Sequence, residues 1–141
     1  MFKSIIAAVD GSEQSLLGLR HAGEMAVCFG GRVIMVHAYP HTTDLRDMVE
    51  YNALVARRKL AGQRVLDAAG KRMQEGAAAV EAEEELLEGP AAEAILAVAE
   101  ARKADLIVMG TRGMGSLKGM VFGSVSTKVA HYAPCPVMLV R

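Results

Sequence analysis

Four unbroken apolar runs constrain the fold of this chain more than any other feature: Ile5-Ile6-Ala7-Ala8-Val9, Val33-Ile34-Met35-Val36, Leu106-Ile107-Val108-Met109 and Val137-Met138-Leu139-Val140. None has the alternation of a strand with one wet face, so each reads as a strand covered on both sides. That is the pattern of a parallel sheet between two layers of helices. The first run ends in Asp10-Gly11. The second continues through His37-Ala38-Tyr39 to Pro40, which cannot donate to a ladder.

Helical spacing fills the gaps between the runs. Ser12 can cap a helix carrying Leu16, Leu19, Ala22, Gly23 and Ala26 on one face, and Gly30-Gly31 stops it. From Asp44 to Gln74 the apolar positions Tyr51, Leu54, Val55, Ala61, Val65, Ala69 and Met73 again follow a helix. One helix of that length would span roughly 45 Å, so His41 to about Met48 is expected to be loop or frayed turn. Val80 to Leu87, with Glu81, Glu83 and Glu85 on one side, is expected to be an edge strand with a solvated acidic face. Gly89-Pro90 opens a helix through Ile95, Val98, Ala99 and Arg102, and Ser124 to His131 forms a short last helix.

Strands alternating with helices imply right-handed crossovers. The expected fold is a single α/β domain over residues 1–141, a Rossmann-like open parallel five-stranded sheet with helices on both faces. A hydrophobic content of 52% suffices for one such core. In sheets of this kind, ligands sit at the carboxyl ends of the strands where the strand order reverses.

Lysine plus arginine equal aspartate plus glutamate at 16 each, so no overall field draws the chain to nucleic acid or an anionic membrane. Met1-Phe2-Lys3-Ser4-Ile5-Ile6 enters a strand pattern at once, without the basic and apolar regions of an export signal. No apolar run approaches the roughly 20 residues of a membrane span. The expectation is a soluble cytoplasmic protein. Cys28 and Cys135 lie far apart without ligand spacing and read as small buried hydrophobes of a reduced compartment. His21, His37, His41 and His131 show no zinc-binding spacing, and His37 is expected to be packed or bonded to backbone.

The chemistry concentrates between Gly110 and Ser124, where five glycines separate a buried strand from a helix start. Glycine has no side chain to block approach and tolerates positive φ, so such a loop can bring several backbone N–H groups to an anion. The helix beginning near Ser124 adds its positive end and unpaired donors, and the serine hydroxyl can bond a phosphate. Arg112 supplies a cationic fork; Lys118 is a second charge or a solvated loop residue. Met114 and Met120 are expected to fill gaps. Asp10, at the end of the first strand, is badly placed for a phosphate and well placed for a hydroxyl donor; the alternative is a turn or cap role.

Gly110-x-x-Gly113, nine residues, then Gly123-Ser124 resembles the nucleotide loop of the universal stress protein family. The resemblance runs through the whole chain, including Val9-Asp10-Gly11-Ser12, His37-Ala38, the strand Ala104 to Gly110 and the closing Pro134 to Val140. It implies strand order 3-2-1-4-5. From the ATP-binding branch it implies that Asp10 bonds a ribose hydroxyl, that backbone at Ala8 and Ala38 meets adenine, and that Gly110 packs beside the sugar. Thr111, Arg112, Gly113, Gly123, Ser124, Val125 and Ser126 would surround the phosphates of ATP, or of ADP or AMP, often with Mg²⁺. It also implies a homodimer pairing through the C-terminal strand Val137 to Val140.

The function expected is therefore an adenine-nucleotide-binding stress or signalling module whose occupancy modulates its dimer or a protein partner. A slow ATP hydrolase and a nucleotide-free dimeric scaffold are the alternatives. No Gly-x-x-x-x-Gly-Lys-Ser/Thr loop and no general base placed by a histidine or carboxylate pair is present, so no catalytic residue is assigned. Asp10-Gly11-Ser12-Glu13 lacks the glycines that a dinucleotide's pyrophosphate needs after the first strand, which disfavours an oxidoreductase.

Overall fold

The apolar runs stack side by side in a computed structural model that describes residues 1–42, 47–112 and 122–141. The elements are β1 (Ser4–Ala8), α1 (Glu13–Phe29), β2 (Arg32–Tyr39), α2 (Met48–Ala77), β3 (Ala82–Glu88), α3 (Ala91–Ala101), β4 (Leu106–Gly110), α4 (Ser124–Tyr132) and β5 (Val137–Val140). All pairings are parallel and the sheet order is β3-β2-β1-β4-β5, as the family resemblance implies.

Side-chain alternation along the central strands feeds two cores. Ile5, Ala7, Val33, Met35, Leu106 and Val108 pack under α1 and α2 with Leu19, Ala22, Leu66 and Met73. Ile6, Ile34, Val36, Ile107 and Met109 face the other way, onto Ile95, Val98 and Ala99 of α3 and Val129 of α4. An unbroken apolar strand thus loses water on both faces, which is why these runs carry no alternation.

Helix ends follow the capping residues. Ser12 accepts from Ser15 N at the start of α1, and Gly30 closes it in the left-handed region at φ 61°. At Gly31 a Cβ would lie 2.5 Å from Phe2 O, so only glycine lets α1 hand over to β2 there. Asp47 caps α2, whose buried residues are Gly62, Leu66, Ala69 and Met73, all from its midpoint onward. The loop expected before Met48 is non-helical at 41, 42 and 47, while 43–46 lie outside the described residues. Arg58 reaches back from α2 to donate to His41 O (2.9 Å) and Thr42 Oγ1 (3.0 Å).

Two expectations need correction. The acidic face of β3 is not simply solvated. Glu83 pairs with Arg32 (2.8 Å) and Arg102 (3.0 Å), and Glu85 accepts from Arg102 Nε (3.0 Å). In register with Ile34 and Val36, these two glutamates stand at the margin of the α3 core, half-buried, and their partners make that position tolerable. The hydrogen bond that Arg102 donates to Glu85 and the charge of Glu83 hold the Arg102 guanidinium above its ordinary pKa. Cys28 is exposed rather than buried, because it falls on the outer face of α1; Cys135 is half-buried, and its burial and then the charge of Asp105 push the thiol up.

Candidate site at the carboxyl ends of β1 and β4

The chain leaves β1 toward β2 on one side and returns to β4 on the other, so the strand order reverses between β1 and β4. The β1 exit is a built turn. Asp10 Oδ1 accepts from Ser12 N (2.9 Å), Asp10 N donates to the buried Ser15 Oγ (3.3 Å), and Gly11 sits at φ 86°. A bulkier residue at Gly11 would be strained. His37 Nδ1 lies 2.7 Å from Val9 O, so the β2 exit is tied to the same turn and His37 is backbone-bonded, as expected. Ala8 and Ala38 are half-buried at the ends of their strands.

The β4 exit is held from three sides. Thr111 is 3% exposed, and its amide donates to Val140 O of β5 (2.9 Å). The Thr111 carbonyl accepts from Gly123 N (2.6 Å) and from Ser126 Oγ (2.7 Å). The two ends of the glycine-rich segment are thereby brought together. Arg112 N donates to Gln14 Oε1 (3.0 Å). A Cβ at Gly110 would stand 3.0 Å from Gln14 Cβ, so this glycine serves the close passage of α1.

At the start of α4, Ser124 is exposed and Val125 is half-buried against the α3 core. Ser126 is 2% exposed, with its hydroxyl between Thr111 O and Gly123 O. Among the described residues no side chain caps this helix and its first turn holds no acid, whereas α1, α2 and α3 carry Glu13, Glu50 and Glu93 there. The first-turn amides of a helix have no intrahelical acceptor, and an acid would compete for them.

Asp10, Gly110, Thr111, Arg112 and the Gly123 to Ser126 turn therefore share the crevice edge, with Ala8 and Ala38 at neighbouring strand ends. Gly113, with Met114, Lys118 and Met120, lies outside the described residues. Gln14 is the residue that sequence reading missed. Its one sequence signal is its place in the first turn of the helix leaving β1. Among the described residues, no three His, Cys, Asp or Glu side chains are grouped to hold a metal ion. Nor is any helix among them long and apolar enough to cross a membrane.

Residues 1–141 match the model of the universal stress protein family. A universal stress protein of Thermus aquaticus, from the 3′ region of its QAH/OAS sulfhydrylase, is 41% identical over 144 residues and covers all of both chains. The solved universal stress protein UspA of Lactobacillus plantarum superposes with a TM-score of 0.86 at 21% identity, over 99% of this chain and 98% of its own. A universal stress protein of Archaeoglobus fulgidus, solved in complex with dAMP, gives a TM-score of 0.71 at 26% identity over 100% and 98% of the two chains. With the family matched from end to end and the sheet order shared, this chain belongs to the universal stress protein family.

Proposed function

We propose that this protein is an adenine-nucleotide-binding module, with the nucleotide laid across the carboxyl ends of β2, β1 and β4. The observation that carries the reading is the junction of Thr111 and Arg112 with the uncapped, acid-free start of α4. First-turn amides without an intrahelical acceptor, at a positive helix end, together with the Arg112 guanidinium suit a phosphate. The dAMP complex of the Archaeoglobus fulgidus relative supports an adenine nucleotide as the guest.

In this reading adenine rests by the backbone of Ala8 and Ala38, and Asp10 accepts from a ribose hydroxyl. A carboxylate offers about four acceptor positions, so the bond from Ser12 N is compatible with that role. Gly110 lies beside the sugar. Arg112, Gly113 and the amides of Ser124, Val125 and Ser126 meet the phosphates, with the Ser124 hydroxyl as a further donor. Thr111, Gly123 and the Ser126 hydroxyl shape the turn. Mg²⁺ enters as the counter-ion of the phosphate oxygens. The module is read as a cytoplasmic homodimer pairing through β5, with occupancy biasing that pairing or a protein partner.

Mass spectrometry of ligand released from protein purified without added nucleotide, followed by calorimetric titration with ATP, ADP and AMP, tests the reading. An adenine nucleotide released or bound is the expected result. No heat and no thermal shift with any of the three, magnesium present, would overturn it.

A further inference from the structure

Gln14 joins two parts of the crevice that are distant in sequence. Arg112 N donates to its Oε1 over 3.0 Å and Thr111 Oγ1 stands 3.5 Å from the same oxygen, across 98 and 97 positions of chain. A backbone N–H can only donate, so the atom facing Arg112 is the oxygen, and the side chain's NH₂ group is turned away from it. No hydrogen bond among the described residues uses that nitrogen, a group with two donors.

The backbone that carries Gln14 is fixed on both sides. Ser12 caps the same turn and the buried Ser15 ties it to Asp10 N. On the other side Gly110 passes so near that an added methyl would lie 3.0 Å from Gln14 Cβ. Gln14 is therefore held at the point where the β1 and β4 exits meet, beside the Arg112 turn.

We propose that Gln14 is a binding and positioning residue for the ligand's phosphates, its Oε1 holding the Arg112 turn and its Nε2 donating to a phosphate oxygen. The proposal rests on the nucleotide reading above. It gives the neutral amide a purpose. A glutamate of nearly the same shape could still accept from Arg112 N, yet it would present a negative charge where the amide presents donors.

The full-length protein and its Gln14→Glu and Gln14→Met variants are titrated with adenosine, AMP, ADP and ATP, with circular dichroism confirming the fold. For Gln14→Glu, adenosine affinity is expected to stay within about twofold and ATP affinity to fall by about tenfold or more, the loss growing from AMP to ATP. Gln14→Met, which lacks both the charge and the donors, is expected to lose less for ATP than Gln14→Glu while keeping adenosine binding. An equal loss for all four ligands would assign Gln14 a purely structural role and overturn the proposal, as would wild-type affinities in both variants. If the unchanged protein binds none of the four, the nucleotide reading fails first. If it binds and the variants match it, only the role of Gln14 fails. Should Gln14→Glu not fold, the ratio of ATP to adenosine affinity in Gln14→Met decides, an unchanged ratio overturning the proposal.

Discussion

Ser124 and Ser126 open the same helix and do different physical work. Ser126 is buried and its hydroxyl spans Thr111 O and Gly123 O, whereas Ser124 is exposed. Ser126→Ala would remove one of the two donors to the Thr111 carbonyl, which keeps Gly123 N, and is expected to lower unfolding free energy by about 1 kcal/mol. Ser124→Ala should change it by less than about 0.5 kcal/mol while weakening nucleotide binding. Urea unfolding of the two variants checks the division, and equal stability losses would erase it. Sequence spacing draws attention to both serines alike. It cannot separate them, because what buries Ser126 is a carbonyl 15 positions back in the chain. Gln14 escaped for the same reason: nothing in a helix's first turn announces a partner 98 residues away.

Elements were legible where their signals are local. Ser12 and Gly30 bound α1 as their chemistry requires, and the apolar runs became the central strands. The acidic side of β3 was misread because the residues that neutralise it, Arg32 and Arg102, belong to β2 and the end of α3. A second pair, Glu93 with Lys128, joins α3 to α4. The hydrogen bond from Lys128 holds the Glu93 carboxyl below the ordinary glutamate range, with a backbone hydrogen bond adding to it. A depressed folded-state pKa contributes stability that is present above the unfolded-state value and is lost as pH falls through the folded one. With both side chains about half exposed, at 49% and 47%, solvent screens the pair and the stability effect is small. Its titration is the better readout. In an NMR pH series the Glu93 midpoint is expected below the ordinary glutamate value of 4.5 and should rise toward it in Lys128→Met. A midpoint that the substitution does not move would show that Lys128 is not the cause.

At the scale of the whole molecule the sheet has two edges of opposite character. β3 carries Glu83, Glu84, Glu85 and Glu88 and is laced with ion pairs and hydrogen bonds, a guarded edge, while β5 is Val137-Met138-Leu139-Val140 with no charge in the strand. Ile107 N donates to Pro136 O and Thr111 N to Val140 O, so Pro136 and Val140 turn their carbonyls toward β4. By the two-residue alternation of a strand, the main-chain groups of Val137 and Leu139 face away from the sheet. This is the edge that a second copy is expected to pair with. Charged side chains at these two positions would be an ambiguous test, since Val137 and Leu139 also pack on the α3 core. Proline removes an outward N–H and leaves the ladder to β4 intact. Val137→Pro and Leu139→Pro are therefore expected to sediment as folded monomers where the unchanged protein sediments as a dimer, with circular dichroism reporting the fold. A monomeric unchanged protein, or folded variants that remain dimeric, would exclude β5 as the interface. Val140 O holds Thr111, and Thr111 O holds Gly123 and Ser126, so the pairing strand stands one hydrogen bond from the proposed phosphate turn. Coupling through such a contact must be reciprocal. If ATP tightens the dimer of the unchanged protein by some factor, dimerisation tightens ATP binding by the same factor, and the proline variants should bind ATP more weakly by that amount.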